Sequence, residues 1–86
     1  MVTLGNSVAK LNSYAFSSCD RLSKINFPAS LTEIHNTAFS GCYRLAEITF
    51  DGTMEQWNAV TKGDGWDKDL ATNIVKCSDG DAPTTP

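Results

Sequence analysis

The triplets Val2-Thr3-Leu4, Ile25-Asn26-Phe27 and Ile48-Thr49-Phe50 recur at one constant interval, and each reads apolar, polar, apolar. A period in the twenties constrains the fold severely. A unit of that size cannot bury its own apolar face, so like units must stack and share one interior. Overlaying residues 2–24 on 25–47 gives seven identities: Ser7/Ser30, Ala15/Ala38, Phe16/Phe39, Ser17/Ser40, Cys19/Cys42, Arg21/Arg44 and Leu22/Leu45. Most other apolar positions meet an apolar partner, so a scaffolding or binding surface made of repeated coils is expected.

Within a unit, the alternation at Ile25, Asn26 and Phe27 predicts a short strand with one side chain on the opposite face from the other two. Pro28 ends it. Leu31 to Ile34 turns the chain back, and Ala38 to Cys42 reads as a tight helical turn that carries Phe39 inward. Val8 to Leu11 and Ala15 to Cys19 follow the same pattern. Stacking places equivalent residues of successive units about 4.8 Å from each other along the sheet direction. Two such pairs, Lys24 with Glu47 and Lys10 with Glu33, are oppositely charged, and each is expected to favour this register by well under ~1 kcal/mol.

The pattern changes after Phe50. Asp51-Gly52 makes a turn, and Thr53 to Gln56 has the spacing of a capping box. Met54, Trp57 and Val60 then recur at helical spacing, which predicts a helix from Thr53 to Lys62 with Lys62-Gly63 as its stop. Ile74 to Cys77 is expected as a last short strand, and the Asp/Gly/Pro/Thr composition from Ser78 onward as a flexible linker or tail. The organisation is therefore residues 1–50 as coils (2–24, 25–47 and the start of a third), 51–77 as a C-terminal cap hiding the last edge, and 78–86 as tail.

Charge narrows the function classes. Residues 1–50 carry four Lys/Arg and three Asp/Glu, and residues 51–86 carry three and seven. No basic stripe is available to neutralise phosphates, so nucleic acid is not an expected partner. No apolar run approaches the ~20 residues of a spanning helix. Val2 to Leu4 lacks the Leu that precedes the later triplets (Leu22 and Leu45), so the chain is expected to be a piece of a longer protein. The coil edge at Val2, Leu4, Val8 and Leu11 is expected to fray or to self-associate weakly, and otherwise the chain is expected to be monomeric.

With the unit written as Leu22-x-x-Ile25-x-Phe27-Pro28, Leu31-x-x-Ile34 and Ala38-Phe39-x-Gly41-Cys42-x-x-Leu45, residues 2 to about 50 resemble the BspA-like leucine-rich repeats of bacterial surface proteins. Phe50-x-Gly-Thr-x-x-Gln-Trp57 is similar to the segment that often closes such arrays. Where the general leucine-rich pattern has Asn or Cys after the strand, this chain has Ser30. The resemblance implies an α/β fold, a right-handed leucine-rich-repeat solenoid with short parallel strands, 3-10 or short helical turns and a C-terminal helical cap. It also implies a place outside the cell or at its surface, an extracellular or host protein as partner, and no catalytic residues.

Candidate sites are few. The outward row of the sheet, Asn26 and Thr49 flanked by Lys24 and Glu47, is the expected ligand-contact face, since its side chains form a regular array. Trp57 lies in phase with Met54 and Val60 and should pack inward, whereas Trp66 in Gly65-Trp66-Asp67 is the better surface aromatic and a conceivable sugar platform. Cys19 and Cys42 are equivalent positions; a disulfide is conceivable, but small buried fillers with free, parallel side chains suit the repeat better. His35, the only histidine, is expected as an exposed turn residue, so neither a zinc set nor a Cys-His pair can be assembled. Asp64, Asp67 and Asp69 do not fit a calcium loop, because Ala71 and Thr72 fall where a ligand and a glycine are required; solvated turn residues are expected. No cofactor, metal or catalytic residue is assigned. The leading function is a non-catalytic protein-interaction or adhesion module, the second a purely structural cap and spacer, and the third a carbohydrate-binding module.

Overall fold

A computed structural model describes residues 2–85. The repeat appears as two parallel ladders. One sheet orders β1 (Val2–Thr3), β3 (Lys24–Phe27), β5 (Glu47–Phe50), β7 (Ile74–Cys77) and β8 (Gly80–Pro83); the other orders β2 (Lys10–Leu11), β4 (Glu33–Ile34) and β6 (Thr61–Lys62). Val2 pairs with Ile25, Ile25 with Ile48 and Phe27 with Phe50, as the repeat spacing predicts. Register is strongly specified because Ile25, Phe27, Ile48 and Phe50 are all buried, and a one-residue slip would turn them outward.

Loops between the ladders are also held in register. Phe16 N and Ser18 N donate to Ala38 O and Ser40 O at 2.7 Å, and His35 N donates to Leu11 O at 2.8 Å. Ser30 Oγ donates to Val8 O at 2.7 Å, so it joins one repeat to the previous one from the position where the general pattern has Asn or Cys. The expected tight helical turns are hydrogen-bonded bends: Ala38 N reaches His35 O and Cys42 N reaches Phe39 O, but these single i to i+3 bonds do not extend into a 3-10 run.

Ser18 occupies the position equivalent to Gly41, and both adopt left-handed backbone, φ 57° and 81°. A non-glycine residue pays for that conformation, and a Cβ on Gly41 would stand 3.3 Å from Ser18 Cα. Ser18→Gly is therefore expected to raise the urea midpoint, by a net stabilisation of roughly 0.5–1 kcal/mol. A lower midpoint would show that the Ser18 hydroxyl contributes more than the backbone strain costs.

Helix α1 spans Met54–Ala59, with Thr53 as N-cap and the complete capping box: Thr53 Oγ1 accepts from Gln56 N at 3.2 Å, and Gln56 Oε1 from Thr53 N at 2.8 Å. It ends before the expected stop at Lys62, because Thr61 N must reach Thr32 O and Gly63 N must reach Ile34 O to build β6 on β4. Glu33 and Thr61 pair although they lie farther apart in the chain than one repeat; α1 absorbs the excess. Gly63 is required there. A Cβ on it would lie 2.4 Å from Asn36 N, so the two chains approach too closely for a side chain. Lys62 serves the helix end through its side chain instead: Nζ donates to Trp57 O and Val60 O at 2.7 and 3.0 Å and stands 4.4 Å from the centre of the Trp57 ring.

Residues 80–83, expected as flexible tail, form β8. They pair antiparallel with β7 from Ile74/Pro83 to Cys77/Gly80 across the tight turn Ser78-Asp79, with Gly80 at φ 143°. Ala82 and Thr84 are buried. Asp79 Oδ1 accepts from Met54 N at 2.8 Å, which fastens this hairpin to the start of α1. The core runs from Leu11 to Ala82 and contains Phe27, Phe39, Trp57 and Trp66 in a closed set of ring contacts at 5.8 to 5.9 Å.

Candidate functional site

The outward row of the first sheet is one rigid polar array. Thr3, Asn26, Thr49 and Lys76 follow each other in register across β1, β3, β5 and β7. Asn26 Nδ2 donates to Thr49 Oγ1 at 2.7 Å and to Asp51 Oδ1 at 3.0 Å, so its amide is pinned between two acceptors of the next repeat. Lys24 and Glu47 are register partners, but Glu47 pairs with Lys76 at 3.7 Å, the one ion pair among the described residues. The register neighbours expected from opposite charge, Lys24 with Glu47 and Lys10 with Glu33, are both present in the ladders, while the ion pair that Glu47 closes is to Lys76 on the adjoining β7. Lys24 stays exposed at the row's margin.

Trp66 is not a surface aromatic. It is 2% exposed, lies edge-on to Phe39 and Trp57 at 5.9 Å from each, and its Nε1 is buried without a hydrogen-bond partner among the described residues. The bend of residues 64–69 folds it under the last repeat, where the apolar contacts of an indole outweigh an orphaned donor costing about 1–3 kcal/mol. The sugar-platform reading of Trp66 falls with this burial. Trp57 is fully buried, and its Nε1 donates to Pro83 O at 2.9 Å.

Two of the three aspartates are structural acceptors, not solvated turn residues. Asp69 Oδ2 accepts from Gly41 N at 2.8 Å; Asp67 Oδ2 accepts from Thr84 and Thr85 hydroxyls. Sequence reasoning missed these roles because their partners lie 28 and 17 or 18 residues away. Among the described residues no group of three or more His, Cys, Asp and Glu stands close enough to hold a metal ion.

His35 is exposed and central to a small cluster: Nε2 lies 3.1 Å from Ser13 Oγ, and Nδ1 accepts from Thr37 N at 3.2 Å. That amide fixes the tautomer of neutral His35, with its proton on Nε2. Nε2 then donates to Ser13 and cannot take its proton, so the pair has the spacing of a nucleophile and base but not the protonation.

The three cysteines are free. Cys42 is fully buried, whereas Cys19 is only half-buried, which departs from the expected pair of buried fillers. Burial pushes the Cys42 thiol above its usual pKa of 9.0, and burial likewise raises Cys77. A raised acid keeps its proton folded where the unfolded chain loses it, so its contribution is whole below pH 9.0 and is lost as pH climbs from there toward the folded value. Burial lowers Lys62, which acts with the opposite sign below 10.5. Subtracting a variant that retains Lys62 isolates the thiol: the stability gap between the natural chain and Cys42→Ala should shrink in urea melts above pH 9.0. A constant gap would contradict it.

Leu11, expected on an unprotected edge, is buried, while Val2, Leu4 and Val8 are half-buried. No helix among the described residues is long and apolar enough to cross a membrane. Neither curated proteins nor solved structures give a match to the chain. The family model described as BspA type leucine rich repeat region (6 copies) matches residues 1–60. With the doubled Ala-Phe-x-x-Cys-x-x-Leu motif and the in-register ladders that it produces, this match covers well over half of the sequence, and the chain belongs to the BspA-type leucine-rich-repeat family.

Proposed function

We propose that the chain is a non-catalytic protein-interaction or adhesion module at a bacterial cell surface, a right-handed solenoid whose array ends in the segment around α1, β7 and β8. An extracellular or host protein would lie across the outward row of the first sheet. The observation that carries this reading is the pinned Asn26 amide between Thr49 and Asp51, beside exposed Lys24 and the Glu47–Lys76 pair. Such a surface loses little side-chain freedom when a partner docks, and so needs fewer anchors for the same affinity. Family membership supports the class of function.

The test is direct binding of the chain to immobilised extracellular-matrix proteins. Asn26→Trp and Thr49→Trp, which would crowd the row, are expected to weaken binding at least tenfold while both variants keep the circular-dichroism spectrum of the folded chain. Unaltered binding in both variants would move the contact elsewhere.

The second reading, a structural terminus that presents neighbouring coils and contacts no ligand, is favoured by one feature. β8 runs antiparallel to β7, and Trp57 is buried with its indole N–H bonded to Pro83 of that strand, an arrangement suited to ending a stack. Binding seen only with longer chains, and never with this one, would select that reading.

A further inference from the structure

Cys19 and Cys42 hold equivalent positions in adjacent repeats, and their loops are locked together by the Phe16 N to Ala38 O and Ser18 N to Ser40 O bonds, both 2.7 Å. In-register neighbours have Cα atoms about 4.8 Å apart, inside the window of roughly 4.4–6.8 Å that a disulfide spans. The side chains are not simply parallel. Cys42 Sγ reaches back to the preceding repeat and donates to Phe16 O at 2.8 Å, with the Cys19 amide and thiol within its hydrogen-bonding surroundings. Cys19 in turn lines an open cleft of about 400 Å³ together with Phe16, Arg21, Leu22 and Lys24, whereas Cys42 is fully buried.

We propose that Cys19 and Cys42 form a two-thiol site that reacts with low-molecular-weight disulfides and closes to a Cys19–Cys42 disulfide tying adjacent repeats together. Cys19, as thiolate, attacks one sulfur of the small disulfide; that bond breaks, a mixed disulfide forms on Cys19, and the first small thiolate leaves. Cys42 then gives its proton to the first small thiolate and attacks Cys19 Sγ, and the second small thiolate leaves and takes up the proton that Cys19 had released to solvent. Two protein thiols and one small disulfide become one protein disulfide and two small thiols, so electrons and protons balance. Arg21 and Lys24 at the cleft favour an anionic reagent such as oxidised glutathione. Because burial keeps the Cys42 thiol protonated at neutral pH, closure is the slower step and accelerates as pH rises. Cys77, which lies on β7 and donates to Val75 O, belongs to neither step.

The full chain carrying Cys77→Ser, incubated with oxidised glutathione, tests this by intact mass and peptide mapping. The expected product is a monomer lacking two hydrogen atoms, with the Cys19 and Cys42 peptides linked and a melting temperature raised on the order of 10 °C until a reductant is added. In a Cys42→Ala background the glutathione adduct should instead accumulate on Cys19, and in Cys19→Ala the remaining Cys42 should stay unmodified in the folded protein. Serine at either position provides the same comparison should alanine unfold the chain. A stable glutathione adduct on Cys19 while Cys42 remains free, a disulfide-linked dimer, or no reaction with folded protein would each overturn the proposal.

Discussion

Trp57→Ala is expected to be among the most destabilising single substitutions in the chain. Trp57 is fully buried, packs within 5.6 to 5.9 Å of Phe27, Phe50 and Trp66, bonds Pro83 through its indole N–H and lies under the Lys62 ammonium. Truncating a buried tryptophan costs about 3–5 kcal/mol through lost transfer energy and the cavity left behind. An 86-residue chain has roughly 4–13 kcal/mol in total, so the loss removes between about a quarter and all of it. The damage should be uneven. Trp57 joins α1 to β8, so amide protection in residues 74–84 should vanish at lower urea than in β3 and β5. Trp57→Phe, which keeps a ring but leaves Pro83 O unpaired, is expected to cost only about 1–2 kcal/mol. A circular-dichroism melt of Trp57→Ala that overlays the natural chain would refute the central role of this ring.

The helix that carries Trp57 is legible in the sequence, and the hairpin that covers it is not. Thr53 and Gln56 form a capping box wherever a helix starts, because the bonds are local and the spacing is sufficient. The register of β1, β3 and β5 is legible for a similar reason: repetition at a fixed interval makes long-range neighbours predictable from short-range spacing. That advantage ends where the period ends. Lys76 pairs with Thr49 outside the repeat interval, and no second copy announces it. Asp-Gly at residues 79–80 after a strand is an available hairpin signal, but the Pro/Thr composition behind it reads as linker. Trp66 shows the limit most clearly. Gly65-Trp66-Asp67 has no periodic apolar neighbours, so nothing local reveals that the ring turns under Phe39. Of the candidate face, the row Asn26–Thr49 follows from the pleat, whereas the turn of Glu47 from Lys24 to Lys76 depends on the position of β7 and could not.

Phe39→Ala is expected to be as damaging as the loss of Trp57, whereas Phe16→Ala at the equivalent position should be tolerated. The sequence treats the two residues as copies; their surroundings do not. Phe39 is fully buried and touches three rings, Phe16 stacked at 5.3 Å, Phe27 tilted at 5.8 Å and Trp66 edge-on at 5.9 Å. It sits in the middle of a column of aromatics that continues through Trp66 to Trp57 and Phe50. Removing it should cost about 3–5 kcal/mol. Phe16 is half-buried, has one aromatic neighbour and faces the cleft beside Cys19, so its truncation loses less buried area and leaves no sealed cavity. About 1–2 kcal/mol is expected there, since the cost falls with the area and cavity involved. The stacked pair also predicts non-additivity. Once either ring is gone the other has already lost its partner, so the double variant should fall short of the summed single effects by about 0.5–1.5 kcal/mol. Urea melts of the natural chain, both single variants and the double variant supply all four corners of that cycle, with Phe39→Leu replacing Phe39→Ala in both corners should alanine leave no folded baseline. Equal losses for Phe16 and Phe39 would mean that the two repeats are energetically alike and that the burial gradient along the stack has no thermodynamic weight.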